Sequence, residues 1–466
     1  MMNEKRRVAI IGGGITGLTA AYYLQEKVRE QQLPVEIVLI ESTHRLGGKI
    51  HTVLEEGYQI EKGPASFTDH RGTVAKLAAS LGLTDKLINS MKDKKFVAVN
   101  EELYAVPEGV QFGIPTKMKP FMASDLVSWS GKARATFDFL RPQNKLSNDQ
   151  SLGNLLRSRL GNEVVENITE PLLSGIYSGD IDQLSVDAVL PFLAQYSNST
   201  SSLINGVKAY TQAPEFLIDH QTSFSFIGGL STLIDELENQ LTDVKVKKSE
   251  RVLSIKQLAN NQLTLSLNNT STIKADAVFI AAPHTVAQSL LEDKNIFVEL
   301  KDMPLNTIAT VSLMFDEKQI SKSFKGTDVV ISRNSDFSVT SATFMNRKWE
   351  NIAPKGKEMI KAYIGRLGDE AIVELSDKEI EKVILQDLHR LIGITGAPEK
   401  VIVSRFKNAM PQYTIGHADR VQIVKEKLKS TYPMVRVGGN SYDGISLPKC
   451  ISQATSNMDS LLKELF

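Results

Sequence analysis

Between residues 8 and 17 the chain passes from Val8-Ala9-Ile10-Ile11 directly into Gly12-Gly13-Gly14-Ile15-Thr16-Gly17. A short, continuous apolar run reads as a strand buried on both faces. After it, Leu18, Ala21 and Leu24 fall at helical spacing within Ile15 to Lys27, and Val35 to Ile40 is a second apolar run. Strand, helix and strand in this order make a βαβ unit. In its first turn Gly12 permits the sharp bend, Gly14 lets the backbone approach a pyrophosphate, and Gly17 lets helix and strand pack closely. The phosphate would meet free N–H groups and the positive end of the helix dipole. Glu41, followed by Ser42, ends the second strand where a carboxylate accepts hydrogen bonds from a ribose hydroxyl. The start of the chain is therefore constrained to a dinucleotide-binding α/β fold.

The remaining sequence is too long for one core, since 466 residues imply two or three domains. From about 73 to 205 the spacing predicts mostly helices: Val74 to Leu81, Ser124 to Leu140, Ser151 to Arg159 and Glu163 to Ser174. In Ser124 to Leu140 the residues Leu126, Trp129, Ala133, Phe137 and Leu140 are expected to form a core face, with a membrane foot as the alternative. The polar segment Ser197 to Ser202 reads as a loop. Strands are expected between Val244 and Ala281 and again from Thr310 to Gly365. Lys378 to Leu391 has an amphipathic pattern, and a last helix is expected from Cys450 onward.

Composition narrows the function. Acidic and basic residues balance at 54 each, so no global field recruits nucleic acid. The single cysteine, Cys450, excludes an intramolecular disulfide and fits a reducing cytoplasm. Buried and inert is the expected state for that thiol. Seven scattered histidines offer no metal-ligand spacing, so no metal site is expected. We find no apolar run long enough to span a membrane.

A second glycine signature separates FAD from NAD. Arg45-Leu46-Gly47-Gly48-Lys49 puts two bases around two glycines just past Glu41, suited to a second phosphate face. Gly57 to Gly63 then reads as a hairpin strand that ends in the turn Gly63-Pro64-Ala65-Ser66. Arg251-Val252, Ala281-Ala282-Pro283-His284 and Gly438-Gly439-Asn440-Ser441-Tyr442-Asp443-Gly444-Ile445-Ser446-Leu447-Pro448 follow in order. Together these resemble the flavoprotein amine oxidase and protoporphyrinogen oxidase superfamily, and the resemblance covers nearly the whole chain. It implies a discontinuous Rossmann-like FAD-binding domain (1–70, 211–293 and 413–466), a link at 71–93, a helical and candidate membrane-facing insert at 94–210, and a mixed-sheet substrate domain at 294–412. It implies non-covalent FAD held by Gly12, Gly13, Gly14, Ile15, Thr16, Gly17, Glu41, Ser42, Gly48, Lys49, Gly63, Pro64, Ala65, Ser66, Val252, Ala282, Phe406, Gly439, Gly444, Ile445 and Ser446.

Within the superfamily the chain looks most like bacterial porphyrinogen oxidases. The stretches that carry this are Gly113-Ile114-Pro115-Thr116-Lys117, Glu170 to Asp180, Ser332-Arg333-Asn334-Ser335-Asp336-Phe337 and Ala409-Met410-Pro411-Gln412-Tyr413. The resemblance to the soluble Gram-positive type implies six-electron oxidation of coproporphyrinogen III with molecular oxygen as acceptor, in haem synthesis. Protoporphyrinogen IX is the alternative substrate, and flavin amine oxidases, flavin isomerases and a non-catalytic flavin scaffold are the more distant readings. Porphyrinogen meso C–H bonds are weak, so flavin N5 carries the redox chemistry and no general base is expected. His417 is the one histidine that the resemblance brings near the flavin. Arg71 is the candidate anchor for a propionate, because a guanidinium fork suits a carboxylate. Ile176 is the candidate apolar wall, and Lys117, Arg333 and Arg347 are open as further carboxylate partners. Peripheral contact at the inner face of the membrane and hand-over of product to a ferrochelatase are left open.

Overall fold

The computed structural model describes residues 5–91, 94–141, 148–197, 201–213, 222–321 and 324–466. Residues 198–200 of the expected polar loop lie outside these.

A five-stranded parallel sheet carries the dinucleotide-type turn. Its strands run in the order Val244–Lys247, Val35–Ile40, Arg6–Ile11, Ala277–Ile280 and Val435–Val437. They come from widely separated parts of the chain. The central strands Val35–Ile40, Arg6–Ile11 and Ala277–Ile280 are mostly apolar because both faces are covered, while the edge strand Val244–Lys247 alternates valine with lysine. On one side the helices Ile15–Gln31 and Leu447–Leu465 bury Leu18, Leu24, Met458 and Leu461 in a core that includes Ile10 and Leu39. On the other, Ile11, Val38 and Ile40 share a core with Val252, Ile255 and Leu265 of a three-stranded antiparallel sheet.

A second, seven-stranded sheet has the order Lys400–Pro411, Leu305–Asp316, Lys357–Ile364, Val339–Phe344, Asp328–Ile331, Lys95–Val99 and Glu102–Ala105. All its neighbours are antiparallel except Asp328–Ile331 against Lys95–Val99. The helix Asp377–Ile392 starts in a capping box made by Ser376 and Glu379 and ends at Gly393 in the left-handed conformation. Its Ile380, Ile384 and Leu388 share a core with Val311, Leu313 and Ile360 of the sheet.

The middle of the chain departs from the helical expectation in several places. Residues Lys95–Val99 and Glu102–Ala105 are the last two strands at one end of the second sheet, Glu102–Ala105 forming its edge, and not part of a helical region. A four-residue apolar run such as Phe96 to Val99 carries no period that separates strand from helix. The expected helix Ser124 to Leu140 is shorter, Trp129–Thr136, and continues as a 3-10 turn, Phe137–Leu140. Of its expected core face only Leu126 is buried: Trp129, Ala133, Phe137 and Leu140 are exposed, while Asp138 is fully buried. Asp138 anchors the turn inward. Arg159 Nε lies 2.8 Å from its Oδ1, and its Oδ2 accepts from Ser202 Oγ at 2.7 Å and Ile204 N at 3.0 Å. The helix Glu170–Tyr177 is preceded by a π-helical turn, Val165–Thr169. Pro171 has no N–H to give and so breaks the regular ladder there.

Candidate functional site

The first glycine turn separates into positions that the protein itself requires and one that it does not. Gly12 adopts φ +104°, and a Cβ on it would lie 2.5 Å from the Ala281 carbonyl oxygen. A Cβ on Gly17 would lie 1.9 Å from the Gly12 carbonyl oxygen. Gly14 differs: its φ is an ordinary −71°, and no protein atom stands within 4 Å of where a Cβ would project. Neither backbone strain nor packing calls for glycine there. The space in front of Gly14, at the N-terminus of the helix Ile15–Gln31, fits a pyrophosphate brought close to the backbone.

Glu41 is buried beside this turn. Its Oε2 accepts from Gly13 N at 2.7 Å, and its Oε1 accepts from Thr43 N at 2.8 Å and from Ser42 Oγ at 3.2 Å. Thr43 Oγ1 also donates to Oε1, at 2.9 Å, so Oε1 is fully engaged, while Oε2 with one donor keeps a lone pair to which a ribose hydroxyl can donate. Main-chain bonds from Ser249 N to Thr43 O and from Glu250 N to Glu41 O bring the strand that starts at Val252 to the same place.

The second glycine signature docks onto the first. Gly47 N donates to Gly13 O at 2.8 Å, and a Cβ on Gly48 would sit 3.3 Å from Gly14 Cα. Arg45 acts locally, since its guanidinium donates to the carbonyls of Leu46, Gly48 and Ile50 and so ties its own loop. That corrects the expectation that both bases of this segment face a phosphate. Lys49 Nζ reaches Ala409 O at 2.5 Å. Desolvation by the surrounding protein lowers its pKa to about 8, although the side chain keeps an exposed face. Gly63 lies against Lys49, since a Cβ on it would be 1.9 Å from the Lys49 carbonyl oxygen and 3.7 Å from the Phe406 ring. Pro64 is exposed, and Ala65 and Ser66 are half-buried as the chain leaves this point.

The C-terminal glycine turn closes the assembly. Asn440 Nδ2 donates to the same Ala409 carbonyl that Lys49 holds, at 3.1 Å. Gly439 adopts φ +121°, and its missing Cβ would point toward Thr16 Oγ1 at 3.8 Å. Gln453 accepts from Gly439 N at 3.0 Å, and Tyr413 donates to Asn440 O at 2.6 Å while accepting from Gly444 N at 3.1 Å. His417 stacks on Tyr413 with ring centroids 4.0 Å apart and bonds Tyr442 O through Nε2 at 2.8 Å. Burial lowers its pKa to about 4, so the ring is neutral and structural. His284 N donates to Ser441 Oγ at 3.2 Å, which ties the segment that follows the half-buried Ala282 to the same turn. Ile445 and Ser446 then lead into the helix Leu447–Leu465, which has no side-chain cap. Cys450 is buried, and burial raises its thiol pKa. Thus Gly12–Gly17, Glu41–Lys49, Gly63, Phe406 and Gly439–Ser446 are joined by a continuous series of contacts. Sequence reasoning missed Tyr413, Asn440 and Gln453 as its supports, because their partners are set only by the tertiary fold.

The residues proposed to meet substrate are more dispersed. Arg71 is exposed just before the helix Thr73–Ser80, whose first turn is capped by Asp69 at 2.7 and 2.8 Å. Ile176 is 56% exposed near the end of Glu170–Tyr177, a helix that buries Glu170, Pro171 and Leu173. The carbonyls following it are tied down by Gln412, Asn306 and Arg333. Arg333 also pairs with buried Glu170 at 3.2 Å. Lys117 pairs with Glu108 at the surface. Arg347 is engaged elsewhere: it binds Glu358 and the carbonyls of Phe324 and Gly326 and lies 4.1 Å over the Phe344 ring.

Comparison with known proteins agrees with this geometry. The family model described as flavin containing amine oxidoreductase matches residues 15–456. The chain is 42% identical over 470 residues to the coproporphyrinogen III oxidase of Bacillus subtilis (strain 168), with 100% of each chain covered. It is 35% identical to the coproporphyrinogen III oxidase of Staphylococcus aureus (strain NCTC 8325 / PS 47), covering 99% of this chain and 100% of that one. A crystal structure from Exiguobacterium sp. 255-15, provisionally assigned as a protoporphyrinogen oxidase, superposes with a TM-score of 0.89 at 34% identity and 100% coverage of both chains.

Proposed function

The chain belongs to the family of flavin-containing amine oxidoreductases, and from that premise we propose that it binds FAD non-covalently and oxidises coproporphyrinogen III to coproporphyrin III, with molecular oxygen as acceptor. The observation that carries the reading is full-length likeness to coproporphyrinogen III oxidases at up to 42% identity, joined to the open space at Gly14. FAD needs a pyrophosphate cradle, a ribose acceptor and a flavin-facing turn, and Gly14, Glu41 and Gly439–Ser446 supply these in order. A non-covalent link is supported by Cys450, which is buried at the start of its helix beside Thr16.

Bound flavin supplies the two-electron acceptor for each of three successive oxidations. The protein supplies position and electrostatics. Ile176 offers an apolar surface to the macrocycle, and Arg71 a fork for one propionate. Arg71→Ala is expected to raise KM with FAD content unchanged, by the equivalent of about 1 kcal/mol or less, because the exposed guanidinium stays hydrated. Unaltered KM and kcat would assign Arg71 to the solvated surface.

Among the described residues no helix is long and apolar enough to cross a membrane. Trp129, Phe137, Phe139 and Leu140 nevertheless form an exposed apolar group on one short segment. Peripheral contact at the inner face of the membrane, and hand-over of the porphyrin to a ferrochelatase, complete the reading. Failure of the wild type to co-sediment with anionic vesicles would remove the membrane part, and binding that survives a triple Trp129, Phe137 and Leu140 to Ser exchange would take it off this segment.

The purified protein should be yellow, and acid precipitation should release all of its flavin as FAD. Coproporphyrinogen III should then drive oxygen uptake and a rise in porphyrin absorbance. A protein without flavin, or flavoprotein inert toward both porphyrinogens, would refute the reading.

A further inference from the structure

Lys361 is 1% exposed in the middle of the strand Lys357–Ile364. A lysine inside a sheet core is costly, because its ammonium gives up water and must be compensated by fixed acceptors. Two main-chain carbonyls provide that compensation. Nζ donates to Glu61 O at 2.6 Å and also to Gly63 O. The intervening carbonyl, Lys62 O, accepts from Thr310 Oγ1 at 2.6 Å. Three consecutive carbonyls of one turn are therefore held by side chains from neighbouring strands of the seven-stranded sheet. The Glu61 carboxylate, 2% exposed, faces the same region and accepts from Leu230 N at 2.8 Å and from Thr52 Oγ1 at 3.0 Å. The Tyr363 ring lies 5.5 Å from Nζ.

Thr310 shows that a neutral hydroxyl is enough to hold a carbonyl at this seam. The lysine adds something a hydroxyl does not, a charge directly behind Gly63. We propose that Lys361 is a positioning residue of the redox site: it fixes the turn Gly63–Ser66 to the substrate sheet and sets a positive charge behind it that favours the reduced, negatively charged cofactor. The inference rests on the flavin reading above. Burial lowers the lysine to a pKa of about 7, and Glu61 acts in the opposite direction. A negative charge arriving beside the turn acts in the same sense as Glu61, toward the ammonium form.

The test compares FAD-loaded wild type with Lys361→Met and Thr310→Val, measured at pH 6 by dye-coupled reduction. Lys361→Met is expected to lower the equilibrium constant for flavin reduction about tenfold, equivalent to about 30 mV for a two-electron couple. Its kcat should fall while KM for the porphyrinogen holds. Thr310→Val removes a clamp without removing charge, and its potential should stay at the wild-type value. An unchanged potential in Lys361→Met overturns the proposal, and so does an equal shift in both variants, which would make the effect purely geometric. If Lys361→Met does not fold, Lys361→Gln removes the positive charge while keeping a donor for the carbonyls, and the same loss of potential is expected of it. Failure of both to fold assigns Lys361 to folding alone and also overturns it. Wild type without FAD refutes the flavin reading instead, before any variant is made.

Discussion

Gly14 and Gly17 stand three positions apart in one turn and answer to different constraints. A side chain at Gly17 meets the Gly12 carbonyl at 1.9 Å, whereas one at Gly14 meets no protein atom within 4 Å. Gly14→Val should therefore leave a folded protein, losing at most about 1 kcal/mol of N-cap preference, yet holding no flavin. Gly17→Ala should lose stability as well, by about 1–3 kcal/mol from overpacking. Thermal melts of flavin-free protein separate the two outcomes. Flavin retained by Gly14→Val would place the pyrophosphate elsewhere. Gly14 is legible because its signal is local: a strand, a spaced set of glycines and a helix within ten residues. Lys361 is not, because a lysine in a strand reads as solvent-facing and its acceptors lie 300 and 298 positions away. Arg45 misleads for a related reason. Its charge suggests a phosphate, while its fork is already satisfied by carbonyls within five residues.

At the scale of elements, the 3-10 turn Phe137–Leu140 shows how one buried ion pair can override an apolar pattern. Three of its four residues are apolar and exposed, and the fourth, Asp138, is buried with Arg159. Asp138→Ala should cost about 3–5 kcal/mol by leaving a buried guanidinium uncompensated. Leu140→Ser should fall within about 0.5 kcal/mol. Equal effects in denaturant melts would mean that the apolar residues do pack. The helix His417–Thr431 makes a different case, because its first residue is a buried imidazole at the positive end of the helix. Its pKa falls from 6.5 unfolded to about 4 folded. Below pH 6.5 the unfolded chain takes up a proton that the folded chain refuses. Stability should thus be complete above about pH 6.5 and decline down to about pH 4, by about 3 kcal/mol. Burial lowers His284 in the same direction, which deepens the same slope. His417→Phe keeps the stack on Tyr413 and cannot titrate, so its stability should vary less across that window. A curve parallel to wild type would contradict the assignment. The long helices Ile15–Gln31 and Asp377–Ile392 are legible from period and caps, but no local rule reveals that an aspartate is the inward residue of an apolar turn.

For the molecule as a whole, the parallel sheet is foreseeable and its neighbour is not. Residues 8–11, 37–40 and 277–280 of the first sheet are continuous apolar runs, and the first of them enters a glycine turn directly. The second sheet pairs Lys95–Val99 with Asp328–Ile331, more than two hundred residues apart, and nothing in either segment names the other. In the function proposed above that sheet and the helix Glu170–Tyr177 would frame the substrate side, so substrate choice is where sequence carries least. Coproporphyrinogen III bears four propionates, while protoporphyrinogen IX bears two and a pair of vinyl groups. Strong rejection of the divinyl substrate would need buried cations left unpaired when it binds. The cations available are not of that kind. Arg347 is committed to Glu358, Arg333 to Glu170 and Gly179 O, Lys117 to Glu108, and Arg71 is exposed. Exposed bases attract extra carboxylates but remain hydrated when a carboxylate is missing, so the preference they create is modest. We therefore expect a higher kcat/KM for coproporphyrinogen III, on the order of tenfold or about 1.4 kcal/mol, together with measurable turnover of protoporphyrinogen IX. The ratio should shrink as salt is raised, because exposed charges are screened. Both substrates should be assayed without detergent and again with it, to separate recognition from the poor solubility of the divinyl compound. A salt-independent preference far above a hundredfold would require a buried cation that these positions do not supply. A preference for protoporphyrinogen IX under both conditions would reverse the substrate assignment while leaving the flavin site intact.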